Sequence, residues 1–246
     1  FKFQNVLAQL SLTYLIAFLL KDFNRNIQLV ISILLLVLTE ILYRNWQIEG
    51  FNEPFSPSKN FGTWLDLQYG GADIRGSWVS FNAIPTAAHT IWGMMAGIWL
   101  LQNEPKGSIL KNHLPLILSG GLLLLVGYLG DSFTPIIKRI STSTFVVVSG
   151  GYTLLLLVLF EWLVRTIKWN ASFSLLQYIS MNALFIYLFA HIGGGELIES
   201  CILPFSNAIL SWSGTWFSEL VLQLLVLSVF VLICKWMFDR KIFLRI

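Results

Sequence analysis

The sequence predicts an all-α fold, a polytopic transmembrane helix bundle of about seven spans, and three observations carry that prediction. Hydrophobic residues make up 56% of the 246 residues and charged residues only 12%, about half the charge of a soluble domain. Mean hydropathy is +0.71. Seven apolar stretches reach or approach the ~20 residues needed to cross a ~30 Å hydrocarbon layer. Their cores fall near 5–20, 27–43, 84–102, 112–130, 143–164, 175–193 and 215–237. These runs are long and lack the two-residue alternation of barrel strands, so helices are the expected spanning element. The 19 Phe and 10 Trp suit bilayer and interface.

Residues 1–246 read as a single transmembrane domain. The chain opens on Phe1, with no charged segment, short apolar run and small-residue cleavage site after it. The expectation is therefore the C-terminal part of a longer membrane domain. The net charge of +3 is small, and no basic run interleaved with aromatics is present, so no nucleic-acid partner is expected. Cys201 and Cys234 lie in different regions and form neither a disulfide framework nor a metal-ligand spacing.

Loop charge orients the chain. With the C-terminus inside, the inner segments hold Lys21, Arg25, Lys106, Lys111, Arg165, Lys168, Lys235, Arg240, Lys241 and Arg245. The outer segments hold Lys2, Arg44, Lys59, Arg75, Lys138 and Arg139, spread over more loop. The bias of basic residues toward the cytoplasm places the C-terminus there. The longest loop, at about 44–83, is then non-cytoplasmic. It carries Pro54, Pro57, Gly62 and three tryptophans, and its length makes it a candidate for function. A second outer loop is expected at about 194–214, with Glu196 and Glu199 and no basic residue.

Polar residues inside spans are costly and therefore informative. Asn82, Thr86, His89 and Thr90 share about one helical face. They are either a hydrogen-bonding stripe between helices or one wall of a substrate pocket. The same two readings stand for Asn182, while His191 near an outer end is either solvated or functional. His89 and His191 titrate near neutral pH and are candidate general bases. Glu40 ends the second span and reads as interfacial. Gly120-Gly121 and Gly150-Gly151 sit in apolar runs, where small residues permit close helix packing.

Several segments, in order, resemble the heparan-α-glucosaminide N-acetyltransferase family and its bacterial membrane homologues. Pro135-Ile136-Ile137-Lys138-Arg139-Ile140-Ser141-Thr142-Ser143-Thr144-Phe145 resembles the family's Pro-Ile-Asn-Lys-Lys-Leu-Trp-Thr-Ser-Ser-Phe. Met181-Asn182-Ala183-Leu184, with Tyr187 beyond, is similar to its Gly-Met-Asn-Ser-Ile helix. Asn60 and Asp66 keep the spacing of an Asn and an Asp in its outer loop, and Ser80-Phe81-Asn82-Ala83-Ile84-Pro85 resembles its Ser-Thr-Ile-Pro stretch. The terminal Lys241-Ile242-Phe243-Leu244-Arg245-Ile246 resembles its Lys-Ile-Phe-Trp-Lys-Ile. The departures are Ala8-Gln9 for a Gly or Gln followed by Arg, Ile137 for Asn and Ser141 for Trp.

The resemblance implies an enzyme that moves an acetyl group from cytoplasmic acetyl-CoA to an amino sugar or glycan outside. It implies a bacterial cytoplasmic membrane, with membrane lipid around the chain and self-association left open. An outer polar cavity would use Asn60, Asp66, Asn82 and Asn182, with Lys138 at its rim. Arg240, Lys241 and Arg245 would meet the CoA phosphates by charge-assisted hydrogen bonds, or simply hold the inner face. The family's catalytic His lies upstream of the matched region, and its role is not carried over to His89 or His191. A transporter or permease for a small polar solute is the competing class, and a membrane scaffold the third.

The orientation is tested in intact cells, in a background without Cys201 and Cys234. An impermeant thiol reagent should label Ser56→Cys and leave Ser108→Cys unlabelled; the reverse pattern overturns the topology.

Overall fold

Most of the long apolar runs are helical, and so is much of what lies between them. The computed structural model describes residues 4–69, 71, 76–103, 112–167, 173–210, 212 and 214–244. Every regular element among them is helical: α1 (Val6–Leu20), α2 (Arg25–Asn45), α3 (Phe61–Gln68), a 3-10 turn (Ser80–Asn82), α4 (Ala83–Gln102), α5 (Leu114–Gly130), α6 (Ser143–Ile167), α7 (Phe173–Met181), α8 (Ala183–His191), α9 (Gly194–Leu210) and α10 (Thr215–Asp239). Three are long and apolar enough to cross a membrane: α2, Ser143–Arg165 of α6, and α10. The α8–α9 pair, bent by 74°, makes a fourth if counted as one broken span. The other expected spans are shorter or more polar. At 1.5 Å per residue, α1 with 15 residues and α5 with 17 fall below ~30 Å. Helices of this length and composition are those of an integral membrane protein.

The chain divides into two compact units, 1–166 and 167–246. In the first, α4 packs against both α1 and α2. Gln9 Nε2 donates to Thr86 Oγ1 at 2.8 Å, joining α1 to α4. Trp92 Nε1 donates to Ser32 Oγ at 2.8 Å, joining α4 to α2. Between α1 and α2, the buried Gln28 amide donates to Leu20 O and Phe23 O, both at 3.0 Å. It thereby binds the last carbonyl of α1 and one in the turn that follows. Asn5, Asn24 and Asn60 accept from Ala8 N, Ile27 N and Thr63 N and so start α1, α2 and α3.

Gly120, Gly150 and Gly151 of the glycine pairs pack closely against neighbouring helices, while Gly121 does not. A Cβ on Gly151 would lie 2.8 Å from Gly120 O, and one on Gly127 would lie 2.4 Å from Val148 Cγ2. The α5–α6 contact is thus backbone against backbone at these positions. Leu116, Val158 and Ala96 form the core beside it, flanked by Trp99 and Leu154.

In the second unit, α7 and α9 both pack against α10. The expected span at 175–193 is broken: Asn182, at φ −121° and ψ 25°, separates α7 from α8. The expected loop at 194–214 is largely helix. Residues Leu197, Ile198, Cys201, Ile202 and Phe205 recur at helical spacing, and Ile198 and Ser206 are buried. Two glutamates and Pro204 disguised that period in the sequence.

Gly151→Ala should destabilise the protein by ~1–3 kcal/mol, the usual cost of overpacking. Gly121→Ala adds a Cβ that meets nothing within 4 Å and should leave stability equal or slightly higher. Thermal unfolding in detergent, followed by helicity, compares the two.

Candidate functional site

Distant stretches of the first unit converge on one platform at the end of α2. A buried apolar cluster of Tyr43, Phe61, Val79 and Ile140 forms its middle, with Trp46, Trp64, Phe81 and Ile137 around it. Ring centroids lie 4.8 Å apart for Trp46–Phe61, 4.5 Å for Trp46–Trp64 and 4.9 Å for Phe61–Phe81. Gly62 lets the two layers meet, because a Cβ there would lie 2.5 Å from the Tyr43 hydroxyl and 2.8 Å from Val79.

Asn60 and Asp66 are the polar fasteners of this platform. Asn60, 1% exposed, donates from Nδ2 to Ser56 O at 2.8 Å and accepts from Thr63 N at 3.1 Å. The Asp66 carboxylate, 3% exposed, accepts from Ser80 N at 3.0 and 3.2 Å and from the Ser80 hydroxyl. It therefore ties the end of the long loop to α3. Nearby, hydrogen bonds from Ser56 and Lys59 hold the exposed Glu53 carboxyl below the usual carboxylate range. Asn82 closes the 3-10 turn that leads into α4, and its backbone oxygen accepts from Thr86 Oγ1 at 2.7 Å. Lys138 reaches the same platform, its ammonium 5.9 Å from the centroid of Trp78.

The segment carrying Lys138 is folded by hydroxyl groups. Thr142 Oγ1 donates to Pro135 O at 2.8 Å and accepts from Ile137 N at 3.0 Å. Thr144 Oγ1 donates to Thr134 O at 2.8 Å. Ser141 takes φ +50° and Ser77 φ +55°, left-handed conformations that cost a non-glycine residue ~1–2 kcal/mol. Beneath them, Glu40 accepts from Arg44 Nε at 2.9 Å, from Thr134 Oγ1 at 3.0 Å and from the Ser143 hydroxyl. Arg44 in turn donates to Phe133 O at 2.8 Å. Glu40 is thus a cross-link between α2, the 131–142 turn and α6, where the sequence suggested an interfacial side chain.

His89 lies along α4 from this platform. Its Nε2 is 2.8 Å from Val146 O and 3.0 Å from Ser149 Oγ. A carbonyl can only accept, so Nε2 carries the hydrogen and Nδ1 keeps the lone pair. The Ser149 hydroxyl is committed to Phe145 O at 2.6 Å, so His89 is not paired with a free nucleophile there.

One ionisable group escaped the sequence reading. His113, 0% exposed, pairs through Nε2 with Glu161, which also takes Arg165 at 3.0 Å. The Trp99 and His113 ring centroids lie 5.7 Å apart, edge to face. A glutamate inside an apolar run, with Arg165 four residues on, was the available signal. Its histidine partner is 48 residues away and leaves no trace in spacing.

In the second unit, Asn182 is fully buried. Its Nδ2 reaches toward Cys234 O of α10 at 3.5 Å, and its Oδ1 has no partner among the described residues. His191 is exposed; its Nδ1 lies 3.0 Å from Tyr187 O and its ring stacks on Tyr187 at 4.1 Å. Arg240 lies over Trp236, 5.7 Å from its centroid. Lys241 ends α10 at φ +56°. Its N–H donates to Phe238 O, and Ile242 N donates to Met237 O, the paired bonds of a Schellman cap. Arg245, with Lys106, Ser108, Lys111 and Lys168, lies outside the described residues. The structure thus brings Asn60, Asp66, Asn82 and Lys138 into one region of the first unit and sets Asn182, His191, Arg240 and Lys241 within the second.

Comparison with protein-family models, characterised proteins and solved structures gives no match.

Asp66→Ala should cost ~1–3 kcal/mol by stranding the Ser80 donors. Asp66→Asn, which keeps an acceptor, should cost less. The emission of Trp46, Trp64 and Trp78 during unfolding reads the difference.

Proposed function

We propose that the chain is the acetyl-transferring part of a membrane acetyltransferase, with about seven spans and its C-terminus in the cytoplasm of a bacterium. It takes the acetyl group of cytoplasmic acetyl-CoA to an amino sugar or glycan outside. The observation that carries this reading is the convergence of three family-like segments, 60–66, 80–85 and 135–145, on one platform. Segments so far apart in sequence have no local reason to share residue pattern and location.

In the reaction, the sugar amine attacks the thioester carbonyl, a C–N bond forms, the C–S bond breaks and the CoA thiol leaves. A base takes the amine proton. The family's catalytic histidine lies upstream, as that base or as a nucleophile that first carries the acetyl; here the platform residues would position the acceptor, with Lys138 at the rim. Charged CoA phosphates do not enter lipid cheaply, so basic groups on the inner face hold them. Arg240 and Lys241 are assigned that role, with Arg245 beyond. Lys241 favours this assignment: a lysine occupies a left-handed cap where glycine is easier.

A transporter is the second reading, favoured by the breaks at Asn182 and between α8 and α9. Interrupted helices at membrane depth commonly bound solute sites.

Lys241→Gly separates cap from ligand. Relief of the left-handed backbone should raise stability by ~1 kcal/mol, while acetyl-CoA affinity falls by ~1–3 kcal/mol. Equilibrium binding of acetyl-CoA and thermal unfolding of the purified full chain measure both. Unchanged affinity in Lys241→Ala, Arg245→Ala removes the phosphate site. Solute uptake by proteoliposomes without acetyl-CoA binding replaces the enzyme with the transporter.

A further inference from the structure

Helices α1 and α4 are joined at one end by the Gln9–Thr86 hydrogen bond. Farther along they part and leave an open groove of about 480 Å³, inside the ~300–1,000 Å³ range of ligand sites. Its walls are mostly apolar: Tyr14 and Phe18 from α1, Thr90 and Met94 from α4. Gly93 leaves one side low, since a Cβ there would meet nothing within 4 Å. Lys21 stands at the mouth, its ammonium 4.3 Å from the Phe18 ring centroid.

The charges around the mouth differ in how they are used. Arg25 is hydrogen bonded to Gln102. Lys21 makes no ion pair among the described residues, although Asp22 follows it in the chain. An unpaired cation at one end of an apolar groove is complementary to an amphiphile with an anionic head. From Lys21 to Tyr14 the groove follows seven residues of helix, ~10 Å at 1.5 Å per residue, about a third of a ~30 Å hydrocarbon layer. Loop charge puts Lys21 on the cytoplasmic side, where the leaflet carries anionic lipid.

We propose that this groove is a binding site for one phospholipid with an anionic headgroup, its phosphate on Lys21 and an acyl chain lying along Phe18, Gly93 and Met94. The site stands apart from the acetyl-transfer reading and holds whether or not acetyl-CoA binds.

The full chain, reconstituted with equal phosphatidylglycerol and phosphatidylcholine and then released into detergent, tests this by native mass spectrometry. The unaltered protein should retain phosphatidylglycerol over phosphatidylcholine by about fivefold, the factor that ~1 kcal/mol per basic residue gives. Lys21→Gln should bring the ratio near one, and Lys21→Arg should restore it. Gly93→Leu fills the groove and should lose the retained lipid at unchanged helicity; if that variant fails to fold, the Lys21 pair decides. Equal retention of both lipids, a preference that survives Lys21→Gln, or a dimer that Gly93→Leu dissolves would overturn the proposal.

Discussion

A carboxylate at the end of an apolar helix must find donors, because the medium around it supplies few. Glu40 meets that constraint by collecting donors from three segments: Arg44 on its own helix, Thr134 in the following turn and Ser143 at the start of α6. Once those bonds form, the 131–142 turn has little freedom. Its threonines then satisfy the backbone around Pro135, and Ile137 and Ile140 are delivered onto the aromatic cluster. Tyr43, one helical turn from Glu40, sits beneath the same cluster. The platform is therefore built outward from one partly exposed, hydrogen-bonded acid, with the buried Asp66 fastening its far edge.

This architecture divides labour between polar and apolar groups. Hydrogen bonds fix where the loops enter and leave; the rings of Trp46, Phe61 and Trp64 fill the space between. The left-handed serines, Ser77 and Ser141, are found where the loops turn sharply. Their conformational cost is borne by the packing around them. Such a surface is held in one shape from both sides.

Helical class, the long apolar elements and the tight glycine contacts were legible because each is written in local pattern: run length, composition and spacing. Of the platform residues, Asn60, Asp66 and Lys138 were legible only through family-like motifs, and Asn82 also through the polar stripe it forms with Thr86, His89 and Thr90. Spacing alone could not say that Asp66 would reach Ser80, fourteen residues on. Three things were not legible. Glu40 looked interfacial because its partners Thr134 and Ser143 are about a hundred residues away. His113 leaves no sign in local pattern because its partner Glu161 is 48 residues away. The helical period of α9 is masked by Glu196, Glu199 and Pro204, and its contacts with α10 are not written in local pattern. In each case the missing information was a contact between elements.

The Gln28 amide has a bearing on the order in which the chain comes together. It closes the α1–α2 turn using carbonyls only five and eight residues away, so the turn is held by groups close to it in sequence, while the two helices each pack on α4. Contacts of such short range form quickly, so the turn is set before α4 is made, and α4 then supplies the face on which both helices pack. The short, 15-residue α1 thus has α4, and not its neighbour in sequence, as its apolar companion.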